Sequence, residues 1–210
     1  MDENKVYNLA LGLAVFTILY NLAEGIIATW FGYSDETIAL FGFGVDSFIE
    51  MISGIGILVM ILRIKNNPHS DRGNFEVTAL RITGYSFYIL VGGLTLSAIA
   101  TVWLGIKPQT TFWGVVVSVI SIVVMMGLIY GKIYTGRKLH SDAIIADANC
   151  TKVCIYMSCI LLASSGIYYL TGFAYADALG TLGLAWFSYQ EGKECFEKAE
   201  NKACSHGHQH

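Results

Sequence analysis

Apolar positions run along this chain in long unbroken blocks, with neither the two-residue alternation of an exposed strand nor the narrow apolar stripe of a helix in water. Stretches free of Asp, Glu, Lys and Arg extend over Ile82–Ile106, Pro108–Gly131 and Val153–Ala176. Each is long enough to cross about 30 Å of hydrocarbon as a helix. Two further spans carry isolated carboxylates: Val6 to about Trp30, with Glu24 near its far end, and Thr37 to Leu62, with Asp46 and Glu50 inside it. A shorter sixth covers about Asp177 to Tyr189. The pattern predicts an all-α integral membrane protein of six transmembrane helices. A β-barrel would need segments of about ten alternating residues, much shorter than these. The two prolines, Pro68 and Pro108, both fall in predicted loops.

Composition agrees. Apolar residues make up 54% of the chain and charged residues 14%, too few to coat a soluble fold of 210 residues. The basic residues set an orientation. Lys5 precedes the first span; Arg63, Lys65 and Arg72 follow the second; Lys132, Arg137 and Lys138 follow the fourth; Lys193, Lys198 and Lys202 follow the sixth. The opposite loops hold Lys107. Because Lys and Arg are retained on the cytoplasmic side, both termini are expected there. The first apolar stretch is too long for a signal-peptide core and lacks a strongly basic leader, so it reads as a permanent helix. The expected organisation is a six-helix domain over residues 1–192 and a short cytoplasmic tail over 193–210. Neither an enzymatic activity nor a nucleic-acid partner is expected.

Function is carried by polar groups inside the apolar spans, since a carboxylate at the bilayer centre costs roughly 2.5–3.5 kcal/mol on insertion scales. Asp46 and Glu50 are four residues apart and share one helix face. They form a cation-facing pair. Cys150 and Cys154 repeat the spacing in the fifth span, with Asp147 on the same side. Carboxylates and thiolates from two helices would make Asp46, Glu50, Cys150 and Cys154 a four-ligand set suited to a tetrahedral metal, with Asp147 in reserve. The competing reading treats the cysteines as small buried apolar residues, the role that Cys159 fits.

The segment ALFGFGVDSFIEMISG resembles the second helix of the cation diffusion facilitator, or cation efflux, family. GNFEVTALRITG is similar to that family's entry into the third helix, and ADALGTLGLAWFSYQEGKECFEKA to its sixth helix and exit. In SDAIIADANCTKVC, Cys150 and Cys154 stand where the family usually has His and Asp. The resemblance implies a homodimeric six-helix transporter that exports a metal cation in exchange for protons, and the cell (inner) membrane is the expected location. No permanently bound cofactor is implied. The thiols soften the site and favour zinc or cadmium, with mercury or cuprous ion behind them. The family's usual cytoplasmic domain after the sixth helix is not expected here. A non-transporting metal-sensing or accessory protein is the alternative. A thiol oxidoreductase is disfavoured because two cysteines one helical turn apart bond only with strain.

The remaining polar residues have plainer expectations. Glu24 has two readings, a relay for protons or transient binder of cation, and a carboxylate close enough to the outer interface to be partly solvated; the second is expected. Lys152 is expected either to pair with a carboxylate or deter a second cation, or to extend towards the cytoplasmic surface. Asp142 complements a helix dipole, Asp177 caps or anchors the sixth helix, and Met125, Met126 and Met157 pack. The tail ends CSHGHQH, so Cys204, His206, His208 and His210 form a candidate for loose metal capture, with Cys195 near it; a tail without function is the other reading.

Overall fold

A computed structural model of the chain describes residues 3–34, 38–66, 72–105, 112–173 and 175–207. Among them the protein is all-helical: α1 (Glu3–Ser34), α2 (Ile38–Asn66), α3 (Arg72–Trp103), α4 (Phe112–Leu139), α5 (Asp142–Thr171) and α6 (Ala176–Gly207). Pro68, Lys107, Pro108, His208 and His210 lie outside the described residues. The five helices α1 to α5 are long and apolar enough to cross a membrane. α6 falls short of that measure because its second half, from Glu191, is charged.

The helices overrun the apolar blocks from which they are predicted. α6 passes Tyr189 without a break and carries the backbone of Cys204 and His206. At 1.5 Å per residue, a helix of 32 residues extends roughly 48 Å, beyond the hydrocarbon. α5 opens on Ser141, which accepts a hydrogen bond from the Ile144 N–H, and closes on Gly172 in the left-handed conformation.

Contacts near the helix ends order the bundle. Lys65 at the end of α2 donates to Asn8 at the start of α1, and Phe31 at the end of α1 stacks on Trp113 at the start of α4. Lys202, late in α6, bonds both Glu76 in α3 and Asp142 in α5, at 3.0 Å each. Burial pulls the Lys202 ammonium down, but the bonds to Asp142 and Glu76 outweigh it and hold the amine above its ordinary value. The Lys202 ammonium therefore stays charged through neutral pH, and its contribution to the clamp is lost as pH rises through its raised folded value. This end of the bundle also gathers Arg63 and Lys65 from the last turn of α2 and Arg137 and Lys138 from that of α4, and is the basic end. The other carries an exposed aromatic rim of Trp30, Tyr33, Trp103, Phe112 and Tyr169, the side chains that settle at a membrane interface. Between the two ends the outward surface is Leu19, Leu96, Val123 and Met126, residues that lipid tolerates and water does not.

α2 and α5 are the central pair. α2 packs on α1, α3 and α5, while α5 packs on α2, α3, α4 and α6. Close approach of α1 and α2 relies on small residues: a Cβ on Gly44 would stand 2.6 Å from the Thr29 backbone nitrogen, and one on Gly25 would meet Phe48. Gly56 faces Ile82 of α3, and a Cβ on Gly42 would meet nothing. Gly44→Leu should therefore push α1 away from α2 and lower stability by about 2 kcal/mol or more, read as a fall in the thermal unfolding midpoint in detergent; Gly42→Ala should leave it unchanged.

Candidate functional site

Three helices turn polar stripes towards one buried centre. On α2, Asp46, Glu50 and Ser53 recur at helical spacing; on α5, Asp147, Thr151, Cys154 and Ser158 do the same. α4 adds Ser118, Ser121, Lys132 and Thr135 on a buried face that also holds Met125 and Leu128. Asp46, Glu50, Asp147, Cys154 and Lys132 are each no more than 3% exposed.

The Cys154 thiol joins the two carboxylates of α2. Its sulfur lies 2.9 Å from Asp46 Oδ2 and 2.7 Å from Glu50 Oε2. A thiol has one proton and two acceptors here, so three metal-competent side chains already converge on a single hydrogen. They form a closed hydrogen-bonded contact and not an open cage. Among the described residues no group of three or more His, Cys, Asp or Glu stands in a ready metal-holding arrangement. A cavity of about 290 Å³ reaches this contact from the aromatic end, lined by Phe43, Asp46, Leu94, Met157 and Thr181 among others.

Towards the basic end the centre continues as a bonded chain. Thr151 donates to Glu50 Oε1 (2.5 Å) and accepts from Lys132 Nζ (2.7 Å). Lys132 Nζ lies 2.9 Å from Asp147 Oδ2 and 3.6 Å from Glu50 Oε1. Ser53 gives its proton to Asp147 Oδ1 (2.7 Å), which makes Thr83 the donor in the 2.9 Å contact between the two hydroxyls. Glu50, Asp147 and Lys132 thus each have a partner of opposite sign and a hydroxyl, as low dielectric demands, while Asp46 has the Cys154 thiol.

Of the residues singled out in the sequence, the structure brings together Asp46, Glu50 and Cys154. Asp147 is tied to Lys132 and Ser53. Cys150 is buried one turn from Cys154 within the large apolar cluster that also holds Ile49, Val153 and Leu184. The expectation for Glu24 is corrected. It is 5% exposed, and Tyr20 and Ser47 each donate to it at 3.0 Å, because Ser47 follows Asp46 on the α2 face that meets α1. The placement of Lys132 in a cytoplasmic flank is also corrected: α4 continues past Gly131, and the side chain turns inward to the carboxylates. Lys152 bonds Asn149 (2.7 Å), which in turn donates to Glu191. Met125 packs beside Cys154, Met126 faces outward and Met157 lines the cavity. Cys159 is exposed.

The residues missed in sequence are Lys132, Thr151, Ser53 and Thr83. Lys132 had a signal: Ser118, Ser121, Met125, Leu128, Lys132 and Thr135 are spaced by threes and fours, the period of one buried helix face.

The model of the cation efflux transmembrane domain matches residues 13–198. The chain belongs to the cation efflux family. It is also similar, at 25% identity over 165 residues, to an uncharacterized transporter of Methanocaldococcus jannaschii. That match covers 74% of the chain, which spans 58% of the relative's length. As a family member with apolar helices of spanning length, the chain is a multi-pass membrane protein.

The ion pair generates a stability prediction. Asp147→Asn takes from the buried Lys132 ammonium its nearest counter-charge, leaving Glu50 at 3.6 Å and the Thr151 hydroxyl, and should cost about 3 kcal/mol. Adding Lys132→Met removes the under-compensated ammonium and should recover most of that loss, a coupling that a double-mutant cycle of thermal unfolding measures.

Proposed function

We propose that this cation efflux family member exports a metal cation across the bilayer, binding it at Asp46, Glu50 and Cys154. The observation that carries the reading is the single thiol within 2.9 Å of two carboxylates on a neighbouring helix, at the foot of a cavity. Replacing the shared proton by a metal ion turns a hydrogen-bonded contact into three donors of mixed hardness. Sulfur beside carboxylate favours zinc or cadmium over magnesium or manganese, with mercury and cuprous ion as softer candidates. Cys150, one turn along α5, would reach a fourth position by turning towards the carboxylates.

Proton exchange follows from the donor chemistry. A thiol and carboxylates must shed protons to bind metal, so protons arriving from the far side compete for the same atoms and drive release. Affinity should fall as pH falls. Cytoplasmic termini are supported by the basic residues gathered at the end where α2, α4 and α6 finish, and a homodimer in the cell (inner) membrane by family membership. The terminal Cys204, His206, His208 and His210 would gather cytoplasmic metal near the entrance.

A non-transporting metal-sensing or accessory role has one observation in its favour, the Lys132 ammonium already set against Glu50 and Asp147. Flux separates the two. In proteoliposomes under a pH gradient, the native protein should move zinc or cadmium. Asp46→Ala and Cys154→Ala should each reduce the rate about 100-fold, two tenfold factors in the barrier, and Cys150→Ala less than either. Binding without flux in the native protein would establish the accessory role instead.

A further inference from the structure

We propose that Lys132 is a tethered cation that competes with the transported metal for Glu50: the ammonium must give up Glu50 for metal to load, and its return helps expel the metal. The inference rests on the reading of Asp46, Glu50 and Cys154 as the metal donors.

The geometry is that of a divided allegiance. Lys132 Nζ lies 2.9 Å from Asp147 and 3.6 Å from Glu50, so the ammonium is anchored on Asp147 and leans on Glu50. Thr151 spans the gap, accepting from Lys132 at 2.7 Å while donating to the Glu50 oxygen nearest the ammonium. Glu50 is shared at both ends: Oε1 faces Thr151 and Lys132, and Oε2 faces Cys154. A divalent ion drawn to Oε2 would therefore meet a tethered positive charge across one carboxylate. Repulsion at that separation is large in a site shielded from water.

The anchor makes withdrawal feasible. Asp147 is oriented by Ser53, which is itself held by Thr83, so the ammonium retains its ion pair with Asp147 and its bond to the Thr151 hydroxyl when it leaves Glu50. A lysine suits this motion: its charge is compact and sits on a flexible stem, whereas a guanidinium would lock both carboxylates in a rigid fork. The location matters as well. Lys132 lies on the side of Glu50 away from the cavity, so metal loading from the basic end must displace the ammonium from Glu50, and in the arrangement open towards the aromatic end the ammonium stands behind the metal and opposes its return.

Competition predicts opposite effects on binding and on transport, which a merely structural lysine would not produce. Cadmium binding is measured by titration calorimetry on the purified full chain, and cadmium flux in proteoliposomes. Lys132→Met should bind cadmium about tenfold more tightly or better, since one decade in Kd is a modest effect for a neighbouring unit charge, while flux falls because the metal is no longer displaced. Lys132→Arg keeps the charge and should bind no more tightly than the native protein. Where Lys132→Met alone does not fold, the Lys132→Met/Asp147→Asn pair preserves the net charge, and it too should bind more tightly than native. Native or weaker binding in the folded lysine-free variants would overturn the proposal. Native cadmium binding that is insensitive to Cys154→Ser would instead overturn the donor set itself.

Discussion

Everything distinctive in this bundle follows from placing three carboxylates and an ammonium where water is scarce. Asp46, Glu50, Asp147 and Lys132 are nearly inaccessible, and an unpaired charge there would be expelled or neutralised. The surrounding sequence answers that demand. Ser53 and Thr83 hold Asp147, Thr151 links Glu50 to Lys132, and Cys154 bridges Asp46 and Glu50. The apolar shell follows from the same constraint, because a polar centre survives in lipid only inside a sleeve of Leu, Ile, Val and aromatic side chains. Close packing of α1 on α2 at Gly25 and Gly44 narrows that sleeve.

The centre is also asymmetric along the bundle. A cavity meets Asp46 from the aromatic end, whereas Lys132, Asp147, Ser53 and Thr83 close it towards the basic end. Alternate exposure of such a centre calls for the α2–α5 contact to loosen on one side as it tightens on the other. The hydroxyl and ammonium links are suited to this: each is a hydrogen bond that can be exchanged for water, and none is a block of interlocked apolar side chains.

The helices were legible in the sequence because apolar blocks of spanning length leave lipid few alternatives, and the meeting of α2 with α5 was legible because Asp46, Glu50 and Cys154 are conspicuous in apolar surroundings. Helix ends were less so. Apolar character stops at the headgroups, but the backbone hydrogen-bond ladder does not, and α6 runs on to Gly207. The roles of Lys132 and Thr151 were hidden for different reasons. A lysine beside an apolar block reads as a flanking charge until the three-and-four spacing through Ser118 and Met125 is followed to its end, and threonine in a helix usually bonds only its own backbone. Glu24 misled in the same manner as Lys132. Nearness to the end of an apolar block suggests solvent, while the partners that bury it, Tyr20 and Ser47, are defined only once α1 lies on α2.

The central claim is that a metal ion binds among Asp46, Glu50 and Cys154, and X-ray absorption at the metal edge tests it most directly. Zinc bound to the purified protein should show a mixed first shell, with sulfur at about 2.3 Å and oxygen at about 2.0–2.2 Å, and the sulfur contribution should drop in Cys154→Ser. A shell of nitrogen and oxygen alone, unchanged by that substitution, would place the metal elsewhere and contradict the account.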